Sequence, residues 1–232
     1  EGLVFYGSSN SIMENNITEN RTLGAQIHGT LGLGQNNKIL GHISLDDYTS
    51  VWIDSREAGQ GVANTYIKDV ASINSEFFAL GLYATPPSVL VENITIINAR
   101  ETALFLRQKA PCSSIEQGCG FTLTNAVIYN SNILVKKDED YPGDYIIDHS
   151  NFYQTTVIPS ETIDDGAGNL QRSSRIDPNI EEPFVWVSEN SSLKGMGRDG
   201  ADIGANIIYR YENGTLTSET LWDSTTGAFP CG

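Results

Sequence analysis

Aromatic, basic and acidic side chains recur at the ends of six strand-like segments, where together they could hold a sugar polymer. Arginine can bind a carboxylate through two parallel hydrogen bonds, and a tyrosine ring offers a sugar ring a flat apolar partner. Long charged side chains usually face water, so an ordinary solvent-exposed surface is the alternative. The segments supply Tyr6, His28, Asp54 with Arg56, Tyr83, Arg107 with Lys109, and Lys136 with Lys137.

Three of these residues are candidate catalytic groups for cleaving an acidic polysaccharide by elimination. Arg107 or Lys136 would neutralise the carboxylate of a uronate unit, and His28 would take the proton from C5 as a general base. The sequence contains no complete set of hydrolase or lyase residues. Two functions therefore stay open: a polysaccharide lyase-like enzyme, or a non-catalytic surface, adhesin or assembly module.

The segments that would position these side chains belong to a repeat. In "NSIMENNITEN", Asn10, Asn15 and Asn20 are five residues apart, and the same spacing returns in five later segments. Successive copies are separated by 27, 27, 24, 32 and 23 residues, which is the period of a solenoid. The middle members of the six copies are Asn15, His42, Asp69, Asn93, Asn125 and Asp148.

The residues between these polar positions are mostly Ile, Leu, Val and Tyr, which favour β-strands. Asn tolerates the left-handed backbone of a sharp bend, and stacked Asn side chains can hydrogen-bond along a column. Stacked turns of this kind bury one continuous core. The sequence therefore predicts an all-β parallel solenoid whose six middle members form one column at a bend between sheets.

The successive copies and the phrase "GMGRDGADIGA" at 195–205 resemble the right-handed parallel β-helix proteins of the pectate-lyase-like superfamily. The resemblance implies a right-handed parallel β-helix over residues 1–205. That superfamily includes lyases, hydrolases and adhesins, so the resemblance indicates the fold more narrowly than the function. Because "EGLVFYG" begins inside a repeat, we expect N-terminal coils or a cap to come from a preceding portion of the protein or a partner chain.

The C-terminal part is predicted to be a capping segment followed by a hairpin. The repeat fades after Tyr153, and a loop-rich passage is expected to close the core at the end of the solenoid. Residues 206–232 are expected to form a hairpin and tail, with a turn at Asn213 and Gly214. Covering an open β-helix end prevents aggregation; a contact with another chain is the alternative role.

The composition limits the range of partners. The formal net charge is −15, from 14 Lys and Arg against 29 Asp and Glu, which argues against a nucleic-acid partner. No apolar run approaches the roughly 18 residues of a membrane span. Calcium is a candidate cofactor, because Asp164, Asp165 and Asn169 in "IDDGAGN" offer oxygen ligands around glycines; a solvated turn is the alternative.

The three cysteines bear on the cellular compartment. Cys112 and Cys119 flank a short segment in "APCSSIEQGCG", and we predict that they form a disulfide. Such a bond would suit an exported protein, extracellular or on the cell surface, whereas two free thiols would suit a cytosolic one. Cys231 is then left without a partner within the sequence.

Overall fold

The structure, a computed structural model, describes residues 2–29, 34–54, 64–83, 89–107, 120–138, 144–156, 170–180, 186–223 and 225–226. Within these ranges the chain is almost entirely β-structure, with a short 3-10 helix at Arg198–Gly200. Among the described residues, no helix is long and apolar enough to cross a membrane. The strands are β1 (Leu3–Tyr6), β2 (Ile12–Glu14), β3 (Ile17–Glu19), β4 (Leu23–His28), β5 (Lys38–Leu40), β6 (Ile43–Leu45), β7 (Thr49–Asp54), β8 (Thr65–Ile73), β9 (Phe78–Tyr83), β10 (Val89–Ile97), β11 (Thr102–Arg107), β12 (Gly120–Thr124), β13 (Val127–Tyr129), β14 (Val135–Lys137), β15 (Asp144–Asp148), β16 (Asn151–Tyr153), β17 (Leu170–Gln171), β18 (Tyr209–Glu212) and β19 (Thr215–Thr220).

The strands stack as a parallel β-solenoid of about five turns, which confirms the predicted fold class. The first face is a six-stranded sheet in the order β1-β4-β7-β9-β11-β14. An eleven-stranded sheet bends into two further faces. The first halves of β8 and β10 pair with β5 and β12, and their second halves pair with β6 and β13. We call the part before the bend the second face and the part after it the third face.

Three corners in the first turn account for the five-residue spacing of asparagine. Asn10, Asn15 and Asn20 have φ angles of 58°, 55° and 55°. Asn adopts this left-handed conformation more readily than most side chains. The short strands β2 and β3 fill the intervals between the corners. The repeat is therefore a repeat of corners, each followed by a strand that packs into a sheet.

Side-chain amides link the corners of successive turns. Nδ2 of Asn98 donates to Oδ1 of Asn74 at 2.9 Å, and Nδ2 of Asn130 donates to Oδ1 of Asn98 at 2.7 Å. At the corner before the second face, Asn36 and Asn64 donate in the same direction. These bonds satisfy the side-chain amides at the bends, where the backbone also stays paired between turns, as in the bond from the Asn98 N–H to O of Tyr129 at 3.0 Å.

The corner between the second and third faces differs from the predicted column at two positions. His42 and Asp148 lie one residue away from it, and Gly41 and His149 take the left-handed conformation instead. Glycine adopts this conformation at no steric cost, so a preference for Asn or Asp alone misplaces the corner. The middle corner column consists of Asn15, Gly41, Asp69, Asn93, Asn125, His149 and Arg172.

Aliphatic side chains that point inward form stacked rows along the axis of the solenoid. Ala25, Val51, Leu80, Leu104 and Val135 are aligned in consecutive strands of the first face. All five are buried. Burying a Val or Leu side chain stabilises the fold by about 1.5–3 kcal/mol. Such rows give the outward side of the first face a rigid support.

The C-terminal residues include the predicted antiparallel hairpin, β18–β19. The segment that precedes the hairpin lies along the middle corner column. Near the last turns, the Arg198 N–H donates to Oδ1 of Asn125 at 2.8 Å. Near the first turns, the Tyr211 N–H donates to Oδ1 of Asn15 at 2.7 Å. The chain thus runs back along the side of the solenoid.

Apolar contacts hold this C-terminal segment against the third face. Ile207 and Trp222 are buried in one cluster with Ile43, Ala71 and Ile97 of that face. The outward side of the third face therefore carries apolar residues, and the C-terminal segment removes them from water.

Candidate functional site

The register of the first face places five of the predicted site residues in one column. Tyr6 is aligned with His28, His28 with Asp54, Asp54 with Tyr83, and Tyr83 with Arg107. Each is the last residue of its strand. The column therefore follows one edge of the face, with about 4.8 Å between neighbouring strands. We call these five residues the ladder.

One end of the ladder holds a paired histidine. Nδ1 of His28 lies 3.2 Å from Oδ2 of Asp54, whose side chain is fully buried. The exposed ring of Tyr6 stacks on the His28 ring, with centroids 4.6 Å apart and planes 4° apart. Asp54 therefore orients the imidazole through Nδ1, which leaves Nε2 as the nitrogen that can meet a ligand. The side chain of His28 is 12% exposed.

The other end of the ladder holds a paired arginine. The Cζ atom of Arg107 lies 4.9 Å from the centroid of the Tyr83 ring, and Nε lies 2.8 Å from Oδ2 of Asp138. A cation over an aromatic face is attracted by the ring quadrupole. The guanidinium is thus held in place while about half of the side chain, 47%, stays accessible.

Lys136 and Lys137 lie beside the ladder, each with a partner of its own. Lys136 is aligned with Phe105, and its Nζ lies 4.0 Å from Oε2 of Glu101. Nζ of Lys137 lies 4.6 Å from the centroid of the Tyr145 ring. The positive charges of Arg107 and Lys136 are therefore partly neutralised by Asp138 and Glu101.

The structure does not bring the three candidate catalytic residues to one point. His28 and Arg107 are three strands apart in the first sheet, which corresponds to about 14 Å. Lys136 lies one strand further along. Arg56 and Lys109, predicted to bind substrate, lie outside the described residues. His28 and Arg107 would therefore contact different units of an extended ligand.

An aromatic cluster on the first face contains one predicted site residue, Tyr83, and five residues that were not predicted. The ring of Phe78 lies 5.1 Å from that of Trp52 and 5.0 Å from that of Phe105, at interplanar angles of 25° and 17°. Trp52 also stacks on Tyr83 of the ladder, 6.1 Å away. The complete cluster consists of Tyr48, Trp52, Phe77, Phe78, Tyr83 and Phe105.

Gly81 makes room for this cluster. It lies between Trp52 and Phe105 in the register of the first face. A Cβ atom at Gly81 would lie 2.3 Å from Cε3 of Trp52 and 2.4 Å from Cε2 of Phe78. The missing side chain leaves the space that the stacked rings of Trp52 and Phe78 occupy. Trp52 and Phe105 are partly exposed, so the stack presents an apolar surface that water reaches.

A shallow polar groove continues the face at Tyr48, which is 44% exposed. The groove has a volume of about 420 Å³, and Asn20, Arg21, Asp46 and Glu76 line it with Tyr48. The cluster and the groove together present aromatic rings next to hydrogen-bonding side chains. That combination is typical of surfaces that bind polar organic ligands.

The predicted calcium and disulfide residues cannot be placed on this face. Asp164, Asp165 and Asn169, and likewise Cys112 and Cys119, lie outside the described residues. Among the residues that the structure does describe, no group of three or more His, Cys, Asp or Glu side chains is arranged to hold a metal ion. Calcium binding and the disulfide stay predictions.

Comparisons with known proteins identify no relative of this chain. No family model, no curated protein and no solved structure shows a significant match to the chain.

Proposed function

We propose that this protein binds an extended polysaccharide along the first face, outside the cell. Sugar rings would lie on the aromatic cluster, and their polar groups would hydrogen-bond to the ladder. The observation that carries the proposal is the parallel register, which aligns Tyr6, His28, Tyr83 and Arg107 beside the ring of Trp52. Membership of the pectate-lyase-like superfamily is part of the proposal and rests on the repeat and the solenoid.

The aromatic cluster is the first support for a sugar ligand. The ring of Phe78 stacks on those of Trp52 and Phe105, and the rows of buried aliphatic side chains hold the sheet beneath. A platform that is already in place loses little conformational entropy when a ligand binds. Aromatic rings contribute large contact areas with few rotatable bonds.

Repetition along the axis is the second support. Successive strands present equivalent positions about 4.8 Å apart, so the ladder offers a polymer several contacts in a row. Arg107 is the member that favours an acidic chain, because its exposed donors can hold a carboxylate.

The test is a titration with uronate and neutral oligosaccharides after a glycan array has identified a ligand. We expect Trp52→Ala and Phe105→Ala each to weaken binding about tenfold, which corresponds to about 1.4 kcal/mol. Arg107→Ala should weaken binding of uronate oligosaccharides and leave neutral ones unaffected.

Tyr153→Ala is the matched control, because Tyr153 stacks on Tyr129 on the third face, 5.9 Å away. It should bind as the unaltered protein does. Equal affinity in Trp52→Ala, Phe105→Ala and Tyr153→Ala would contradict the proposal, as would a complete absence of glycan binding by the unaltered protein.

Cleavage of the bound chain is a second candidate function, and the His28–Asp54 pair is the observation that favours it. Asp54 orients the imidazole so that Nε2 can accept a proton. Elimination would produce an unsaturated sugar, whose ultraviolet absorbance can be followed during the same titrations. Absorbance that rises with the unaltered protein and not with His28→Gln would support a lyase. If a uronate chain binds and the absorbance does not rise, the result supports binding without cleavage.

A further inference from the structure

A second cavity lies on another side of the molecule, between the middle corner column and the C-terminal segment. Its volume is about 300 Å³. Small-molecule sites in proteins start at about this size. Asn93 of the corner column lines one side, and Trp186, Asn206 and Tyr209 line the side formed by the C-terminal segment. We propose that this cavity, which we call the corner pocket, binds a single neutral sugar unit.

The wall of the corner pocket is held firmly in place. Three successive backbone N–H groups bond to the solenoid: those of Gly204 to O of Asn125, Ala205 to Oγ1 of Thr95, and Asn206 to Oδ1 of Asp69. The donor–acceptor distances are 2.8, 2.9 and 2.8 Å. A preformed wall reduces the entropy that a ligand must lose on binding.

Glycine at position 204 is required for this wall. Its φ angle is +100°, and a Cβ atom there would lie 3.1 Å from Oγ1 of Thr95 and 3.3 Å from Cγ2 of Val127. Other residues rarely adopt such a φ. The close approach of backbone to sheet at Gly204 thus sets the depth of the pocket.

The chemistry of the lining suits a ligand rich in hydroxyl groups. The carboxamide of Asn206 can donate and accept hydrogen bonds, and so can the hydroxyl of Tyr209. Within the described part of the chain, neither side chain has a hydrogen-bond partner. Tyr209 is 38% exposed, so its ring and the ring of Trp186 can offer apolar faces to a sugar.

The charges at the rim select against an anion. Nζ of Lys194 lies 2.9 Å from Oδ2 of Asp202 and 3.3 Å from Oε1 of Glu189. Two carboxylates against one amine leave the rim with one net negative charge, in a chain whose formal net charge is −15. An acidic sugar would be repelled. A neutral hexose or N-acetylhexosamine meets no such penalty.

The corner pocket does not depend on the function proposed for the first face. It lies on the C-terminal segment, and its lining includes no residue of the ladder or of the aromatic cluster. The two sites can therefore be tested separately on the same protein.

The experiment is a two-dimensional amide NMR titration of the complete chain with glucose, galactose, mannose, N-acetylglucosamine and glucuronate. We expect at least one neutral sugar to shift the amide signals of Lys194 and Asn206, with a dissociation constant of about 1 mM. Glucuronate should bind at least tenfold more weakly than that neutral sugar.

Two variants locate the binding. Asn206→Ala keeps the backbone bond to Asp69 and removes only the carboxamide, and Tyr209→Ala removes an exposed ring. Each should weaken binding of the neutral sugar about tenfold, whereas Tyr48→Ala on the first face should have no effect. The proposal is overturned if no neutral sugar shifts these signals, if glucuronate binds as tightly, or if Asn206→Ala binds like the unaltered protein.

Discussion

Asp47→Ala is expected to lower the free energy of unfolding by about 3 kcal/mol. The Asp47 side chain is fully buried and joins the first two turns. The hydroxyls of Thr18 and Ser44 both donate to its Oδ2 at 2.6 Å, and the Arg21 N–H donates to its Oδ1 at 2.7 Å. Removing the carboxylate leaves the buried hydroxyls of Thr18 and Ser44 without their acceptor, and an unsatisfied buried group costs about 1–3 kcal/mol.

Asp46→Ala is the matched control for this prediction. Asp46 is the preceding residue and is exposed, and it accepts one bond at 3.1 Å, from Nδ2 of Asn74. It has a φ angle of 52°, so alanine there costs about 1 kcal/mol in backbone conformation. Urea unfolding of both variants measures the difference. Equal losses would mean that Asp47 does not join the turns as described.

Acid is expected to destabilise the protein through His42. This residue is buried, and its burial lowers the pKa of the imidazole from 6.5 to about 4, although the nearby carboxylate of Asp47 works in the opposite direction. Between these two values the unfolded chain binds a proton that the folded chain excludes. The stability that His42 contributes is therefore complete above pH 6.5 and is lost as the pH falls toward 4. From pH 7 to pH 5 the loss is about 2 kcal/mol.

His42→Gln isolates this effect from other titrating groups. Burial raises the pKa of Asp69, so Asp69 stabilises the fold as the pH falls and partly masks the contribution of His42. The measurement is the free energy of unfolding at pH 7 and pH 5 for both proteins. The unaltered protein should lose about 2 kcal/mol more than His42→Gln over this interval. The same loss in both would show that His42 is not kept neutral by burial.

The predicted repeat identified the fold because the corners are local features. Whether a residue adopts the left-handed backbone conformation depends largely on its own side chain. Asn adopts it more readily than most residues, so Asn at every fifth position indicates the corners in the sequence. The same reasoning placed His42 and Asp148 in the middle corner column, where the structure has Gly41 and His149. Strand pairing sets the register across the whole turn, so it overrides the preference of a single residue.

The alignment of the ladder residues could also be predicted from the sequence, for a related reason. Its members end their strands, and the ends of parallel strands meet at one edge once the repeat is aligned. The ion pairs that ladder residues form, His28 with Asp54 and Arg107 with Asp138, were not predicted. Such pairs depend on side-chain conformations that the spacing of residues along the chain does not specify.

The stacking in the aromatic cluster could not be predicted from the sequence. Trp52 and Phe105 lie in strand segments where an aromatic residue usually indicates a buried core. Their outward position follows from the register, and their stacking follows from the absence of a side chain at Gly81, one strand away in space. Nothing in the sequence near Trp52 indicates that Gly81 will lie beside it.

The structural features of this protein thus fall into two groups: those set by local conformation, and those set by contacts between residues distant in sequence. The corners, the strands and the solenoid could be predicted from the sequence, because each depends on residues within a few positions of one another. The outward pairing of side chains on the first face, the path of the C-terminal segment and the corner pocket were not. They arise where Asn206 meets Asp69 or Tyr211 meets Asn15, across more than a hundred residues of chain, and only packing in three dimensions brings such groups within bonding distance.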